Sequence, residues 1–335
     1  MNENTTSAKI VADSINPNGD RLTTFVCTGP RYILAEVNTH RMLSRNAASS
    51  RAIPTQKLLK RIRENPVLPA QWGSNKAGMQ SGAVLEGDEA QAIRDLWLEA
   101  AAQNATYAEK LTDLGLHKQW ANRWLEPAMQ WTGLISSTDW RNFFALRAHP
   151  DAQPDFQELA FKMLKLYLEN VPEDLAWGEW HLPFGDQLEA SWDLETRMQV
   201  CTSRAARLSY LTFEGELDVE KDKSLYKQLM LAHPLHASPA EHPAQAVPNL
   251  WLNTDTAHRQ MNIETPLDER CSWITTKRDK TACNSWPLPY DVNMTHQGNY
   301  RGWTQWRKMC HGENAAPSDN QLQEMLNRCP DWIKL

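Results

Sequence analysis

Thr39-His40-Arg41-Met42-Leu43-Ser44-Arg45-Asn46-Ala47-Ala48-Ser49-Ser50-Arg51 is the stretch on which the reading of this chain turns. Three arginines, a histidine, an asparagine and three serines fall within thirteen residues, with no acidic residue among them. That is the donor set of an anion site. Arginine offers phosphate oxygens a planar fork of N–H groups, and serine hydroxyls and backbone amides add shorter contacts. The run Arg31–Val37 just before it has helical character, which predicts a helix over Tyr32–Leu43. On the far side Pro54 forces an extended exit through Ala52-Ile53. A helix, a polar turn and an extended exit would gather several donors around one phosphorylated ligand. The competing reading is a solvated basic segment. An excess of Ser, Asn and Ala over Lys and Glu favours the ligand.

Outward from this stretch the pattern alternates strands and helices. Residues 21–28 have the β-branched and aromatic content of a strand, punctuated by Gly29-Pro30. Gln56–Glu64 reads as a short basic helix, 66–86 as irregular, and Gly87–Leu114 as a long helix stopped by Gly115. His117–Pro127 is a compact polar helix and Gln130–Ile135 a short strand. Ser136-Ser137-Thr138-Asp139 supplies N-cap candidates for a helix over Trp140–Ala148. Pro154 opens the next helix, Asp155–Asn170. Residues 171–188 form a loop dense in Trp, Pro and Gly, in which His181 reads as an incidental exposed side chain. Helices follow over Trp192–Leu211 and Lys221–Ala232. Residues 243–297 show few clear periods; Cys271–Thr281 reads as a basic hairpin or a lid. Asp319–Asn327 is a last, surface helix.

The chain has 335 residues and 41% hydrophobic content, enough for one large domain or two. A net charge of −6 disfavours wholesale binding to a nucleic-acid backbone while leaving room for a local basic pocket. No apolar run nears the roughly 18 residues that span a bilayer. The first residues lack the basic-then-apolar form of a secretion signal. The expectation is a soluble, cytoplasmic protein that binds neither membrane nor nucleic acid. Six cysteines, at 27, 201, 271, 283, 310 and 329, form no C-x-x-C pair, so reduced, mostly buried thiols are expected. His236 and His242 could be metal ligands, but Pro239 breaks the helix that would align them. A Glu241–His242 pair closing a polar network is the better reading, and no metal is expected. Fifteen tryptophans read chiefly as core or subunit-interface anchors.

His40-Arg41-x-x-Ser44-x-Asn46-x-x-Ser49-x-Arg51 resembles the signature of the flavin-dependent thymidylate synthases, Arg-His-Arg-x-x-Ser-x-Asn-Glu-x-Ser-x-Arg-Tyr. Six positions match at the right spacing. Thr39, Ala47 and Ala52 replace the first Arg, the Glu and the Tyr, and Glu36 replaces an upstream Gln. Farther on, Asn142-Phe143-Phe144-Ala145-Leu146-Arg147 with Ala152-Gln153 is similar to the family's Asn-Phe-x-x-Leu-Arg followed by Ala-Gln. Ser136, Thr138 and Asp151 depart from it. Cys201–Tyr210 and His236-Ala-Ser238-Pro239-Ala-Glu241-His242 resemble the family's amino-terminal half, and Gly298–Arg307 could supply another core element. Here those parts follow the signature instead of preceding it. The chain is therefore identified as a circularly permuted member, similar to divergent bacteriophage versions; the cytoplasm would be the host's if it is phage-encoded.

The resemblance implies an α/β (α+β) fold, helix-rich with a small mixed sheet in permuted order. It implies one catalytic domain over 1–335, with the signature in 1–188 and the segment like the family's amino-terminal half in 189–335. It implies methylation of dUMP at C5, with FAD reduced by NADPH and methylenetetrahydrofolate as carbon donor, in a homo-oligomer (tetramer or dimer). Residue by residue, Arg147 and Ser49 would be catalytic. Glu36, Ser49, Ser50, Arg51 and Arg147 would bind the pyrimidine nucleotide, and His40, Arg41, Asn46 and Asn142 the flavin. Beside this stand a salt bridge from Arg147 to Asp151 and a plain helix-surface role for Asn142. Rival functions are C5 hydroxymethylation or methylation of dUMP or dCMP, and nucleotide binding with flavin and turnover lost.

Overall fold

The computed structural model describes residues 6–210, 218–230, 236–247, 298–310 and 318–330. The chain opens with β1 (Ser7–Ile15) and β2 (Arg21–Pro30), then a turn of 3-10 helix leads into α1 (Leu34–Val37). β3 (Ser44–Ala47), α2 (Thr55–Glu64), α3 (Gly87–Asp113) and α4 (Lys118–Ala121) follow. A 3-10 stretch over Asn122–Ala128 precedes β4 (Gln130–Ser137), α5 (Trp140–Arg147) and α6 (Pro154–Glu169). Next come β5 (Glu173–Asp174), β6 (Trp180–His181), α7 (Leu194–Tyr210), α8 (Val219–Met230), β7 (Ala244–Ala246), β8 (Trp303–Gln305), α9 (Trp306–Met309) and α10 (Asp319–Asn327).

The main sheet has the order β3-β4-β2-β1-β5, antiparallel throughout except for the β1–β5 pair. It is mixed, as expected. Strands β2 and β4 sit in its middle with both faces covered. Successive side chains of a strand point to opposite faces, so the alternation in β2 and β4 sorts them into two environments. Phe25, Cys27, Trp131 and Ile135 join Trp140, Phe143, Phe144, Phe156 and Met163 of α5 and α6 in one apolar cluster. On the opposite face Leu134 meets Ala205 and Leu208 of α7, together with Phe184. β3 lies so close to β4 that a Cβ at Gly133 would run into the backbone of Asn46 and Ala47. A second sheet, β6-β7-β8, is assembled from three segments far apart in the chain.

The late segments fold back onto the early ones. Gln305 Nε2 donates to Ser44 Oγ (2.7 Å), Asn46 Nδ2 to the Ala205 carbonyl (2.7 Å) and Trp303 Nε1 to the Asp20 carbonyl (3.1 Å). Arg301 pairs with Asp139, and Asn16 Nδ2 donates to the Gly302 carbonyl.

Several sequence expectations need correction. The helix expected over Tyr32–Leu43 stops at Val37. Thr39 Oγ1 donates to the Glu36 carbonyl, while the Arg45 guanidinium donates to Asn38 Oδ1 and to the carbonyls of Asn38, His40 and Leu43. The first satisfies a carbonyl that the helix end leaves open, and the Arg45 bonds hold the chain beyond it in a turn. β1 carries too little β-branched sequence to be read alone and owes its place to pairing with β2. β4 runs through Ser136 and Ser137 with both side chains buried, so of the four N-cap candidates for α5 it is Asp139 that takes the position. Residues 171–188 contain the short strands β5 and β6. Cys271–Thr281, and all of 243–297 beyond Val247, lie outside the described residues. No helix among the described residues is long and apolar enough to cross a membrane.

Candidate functional site

Helix α5 buries Phe143 and Phe144 against the sheet, and Arg147 follows one turn after Phe143 on the same side. Its guanidinium reaches three groups of the α1 turn. Arg147 Nε donates to His40 Nε2 (2.8 Å), Nη2 to Thr39 Oγ1 (3.4 Å), and Nη1 lies 3.5 Å from Glu36 Oε2. The same guanidinium stands 5.0 Å from the centre of the Phe156 ring, within cation–π range. Glu36 takes the role that Asp151 was expected to play; Asp151 instead lies beside His149. An arginine cannot accept a hydrogen bond, so His40 must present a bare Nε2 and carry its proton on Nδ1. Burial, then the charges of Arg147 and Arg45, lower its pKa to about 4. His40 is a neutral acceptor, set edge-on to Phe143.

Beside this cluster a cavity of about 230 Å³ opens between α1 and strands β3 and β4. Its polar wall is Arg31, Asn38, Arg45, Asn46 and Ser49. Arg31 donates to the Ala48 carbonyl and lies 3.7 Å from Glu126; burial lowers its pKa. Ser50 turns inward and donates its hydroxyl to Glu126 Oε1 (2.5 Å), while Asn122 holds the Ser50 and Ile53 carbonyls. Ser50 is thus engaged inside the protein, and Ser49 is the serine that borders the cavity. Arg41, Arg51 and Asn142 are exposed. Five residues along a helix rotate a side chain by about 140°, so Asn142 and Arg147 point to different sides of α5. The structure therefore joins Glu36, His40 and Arg147 directly, sets Asn46 and Ser49 in the adjoining cavity, and leaves Arg41, Arg51 and Asn142 on the surface.

Sequence reasoning missed what lies behind the cavity. Asn46 Oδ1 meets His242 Nε2 (2.7 Å), and His242 Nδ1 meets Ser136 Oγ (2.8 Å). Ser136 Oγ meets Thr24 Oγ1 (2.6 Å), and Thr24 meets His181 Nε2 (2.8 Å), whose Nδ1 reaches Ser14 Oγ (3.0 Å). Every member is buried. Burial lowers both histidines to about 3, with the neighbouring His181 adding to the effect on His242. His181 is therefore no incidental loop residue. The expected pairing of Glu241 with His242 gives way to an ion pair of Glu241 with Arg307. Cys201 is buried and its thiol pushed up to about 12, which makes it an inert side chain. Among the described residues no three His, Cys, Asp or Glu side chains converge as a metal site would need.

Residues 22–173 match the family model described as thymidylate synthase complementing protein. The match is a little under half of the chain, and it takes in α1, β3, β4, α5, the Arg147 cluster and the cavity. It ends before α7 and β8, which supply Ala205 and Gln305, and before the 3-10 turn Ser238–Glu241, which His242 caps. Among solved structures, the UMP/dUMP methylase PolB from Streptomyces cacaoi bound with 5-Br UMP is similar at 14% identity over 50% of this chain and 90% of that one, with a TM-score of 0.41. The same enzyme bound with 5-Br dUMP gives 14% identity, 49% and 90% coverage and a TM-score of 0.38. No curated protein sequence matches the chain.

Proposed function

We propose that this chain is an enzyme that transfers a one-carbon unit to C5 of a pyrimidine deoxynucleotide, methylating dUMP to dTMP. Its partners on this reading are FAD, NADPH and methylenetetrahydrofolate. The observation that carries it is the direct contact of Arg147 with both Glu36 and His40, on a turn more than a hundred positions earlier, inside the segment that matches the family model.

Arg147 would hold the pyrimidine ring and stabilise the negative charge that develops as C5 becomes nucleophilic. Glu36 keeps the guanidinium in place, and neutral His40 accepts from its Nε without competing for an anion. Ser49 and Arg51 would take the phosphate. The donors bordering the cavity suit the phosphate end of a nucleotide, since Arg31 stands there with Asn46 and Ser49. A cavity of about 230 Å³ is smaller than the roughly 300–1,000 Å³ that encloses a drug-sized ligand. On this reading it takes one end of a flavin or nucleotide, and exposed Arg41, Arg51 and Asn142 meet the remainder, with a second copy of the chain completing the site. Bound reduced flavin supplies the hydride. The circular permutation is part of the same proposal.

A second reading has one observation behind it. Thr39 stands where the resembled signature has arginine, and its hydroxyl faces Arg147. That exchange of a charge for a hydroxyl alters the pocket and favours a related dUMP or dCMP modification, hydroxymethylation included. The test is to incubate the protein with dUMP or dCMP, methylenetetrahydrofolate, FAD and NADPH, and to weigh the product by mass spectrometry. Methylated dUMP supports the first reading, and a hydroxymethylated or cytosine product the second. No product with either nucleotide, and no visible flavin absorbance after reconstitution, leaves a nucleotide-binding protein without turnover. Arg51→Ala is expected to weaken dUMP binding by roughly 1.5–3 kcal/mol, the worth of a charge-assisted contact. An unchanged dissociation constant removes Arg51 from the site.

A further inference from the structure

We infer that His242 is the positioning residue for Asn46, and that a buried relay through Ser136, Thr24, His181 and Ser14 holds His242 in the one tautomer able to do this. Only the affinity arm of the test below rests on the function proposed above.

The Ala205 carbonyl can only accept, so the Asn46 group facing it at 2.7 Å is the amide nitrogen and the carboxamide orientation is determined. Asn46 Oδ1 then faces His242 Nε2, which must carry a proton. The ring lies fully inside the protein with no carboxylate bonded to it among the described residues, and an unpaired buried charge is costly. His242 is therefore neutral and its Nδ1 bare, so Ser136 must donate to it. With that hydrogen committed, Ser136 Oγ accepts from Thr24. Thr24 Oγ1 in turn accepts from His181 Nε2–H, and bare His181 Nδ1 accepts from Ser14. No other arrangement of protons on two neutral rings places a hydrogen in every contact of the relay: with His181 protonated on Nδ1, Thr24 would donate to its Nε2 and the 2.6 Å contact of Thr24 with Ser136 would hold no hydrogen.

The relay crosses the sheet strand by strand: Ser14 on β1, Thr24 on β2, Ser136 on β4 and Asn46 on β3, with Thr24 and Ser136 in register. It ends in an amide, which neither takes up nor releases a proton near neutrality. Its role is therefore orientation, not proton conduction. It also ties the cavity wall to a histidine 196 positions away, in a part of the chain that the family match does not reach.

Nitrogen-15 histidine NMR on the full chain tests this directly. His181 and His242 are expected solely as Nε2–H tautomers. An Nδ1–H tautomer at either ring overturns the relay, whatever the protein binds. In the second arm dUMP is titrated into two variants. His242→Gln keeps a donor where Nε2 stood and should bind dUMP nearly as the parent does. His242→Leu removes the ring N–H that holds Asn46 Oδ1 and should weaken binding at least about tenfold, with the His181 signal spreading over both tautomers. Equal affinity in the two variants, or an unmoved His181 signal in His242→Leu, refutes the positioning role. If the parent binds no dUMP, the proposed substrate fails, while the tautomer measurement still decides the relay.

Discussion

The two faces of the central sheet solve burial in opposite ways. On the face toward α5 and α6, Phe25, Trp140, Phe143 and Phe156 pack ring against ring in one cluster with Trp131, and their contribution is removal of apolar surface from water. On the face toward α7 and the small sheet, Thr24, Ser136, Asn46, His181 and His242 are equally buried, yet each is held by hydrogen bonds of fixed direction. A ring stack tolerates some slack in angle. A directed chain tolerates none, because one missing hydrogen leaves groups unpaired along it. The apolar face therefore supports the helix that carries Arg147, and the polar face orients the strand that carries Asn46.

The largest effect should come from the apolar face. Trp140 touches Phe25, Phe143 and Phe144 and donates its indole N–H to the Thr23 carbonyl (3.2 Å). Trp140→Ala is expected to cost about 3–5 kcal/mol of stability, read from denaturant midpoints. A cost under about 1 kcal/mol would mean that the stack closes over the gap and that this face is not the rigid one.

Arg147→Ala sharpens the comparison from the rim of the same face. The side chain is partly exposed and pairs with a still more exposed Glu36, so little stability should go with it. If the guanidinium stabilises charge on the pyrimidine, turnover should fall by about 10²–10³, as when an oxyanion donor is removed. Normal product formation by a folded Arg147→Ala protein would retire its proposed role.

Thr24→Val keeps the volume of the polar face and removes its central hydroxyl. Both Ser136 and His181 then lose a partner, at about 1–3 kcal/mol for an unsatisfied buried group. An unchanged midpoint would show that the hydroxyls of this face are interchangeable with methyl groups.

The same contrast explains what could be read from the chain alone. Helices α3, α5 and α6 were legible because helical periodicity and local punctuation mark them: Gly115 takes a φ of +88° just past the end of α3, and Pro154 stands at the start of α6. The Glu36, His40 and Arg147 trio was legible only through spacing within two short motifs. The polar face was not, because its partners sit 112, 157 and 196 positions apart and each looks ordinary among its neighbours. Arg45 and Ser50 misled for a related reason. A count of donors cannot separate an arginine that binds backbone carbonyls of its own turn, or a serine turned toward Glu126, from one that faces a ligand.

The smallest effect per step, and the one that divides the faces most cleanly, is the response to acid. An unfolded chain protonates its histidines around 6.5, whereas folded His181 and His242 stay neutral down to about 3. Between those values the unfolded state binds more protons, so stability is full above about 6.5 and falls as the pH is lowered through the window. Each ring contributes a slope on the order of 1 kcal/mol per pH unit. His40, lowered to about 4, acts in the same direction. On the aromatic face His40 lies edge-on to Phe143 and Phe156 and is not among the rings that Trp140 touches, so the deficit of Trp140→Ala relative to the parent should be nearly the same at about pH 7 and pH 5. The deficit of Thr24→Val should change over that interval, since the variant unlocks a ring that the parent keeps neutral. Denaturant midpoints of the three proteins across the window decide it. A parent whose stability is flat from about pH 7 to pH 5 would mean that the two rings take up protons in place, and the directed chain of hydrogen bonds could not then exist.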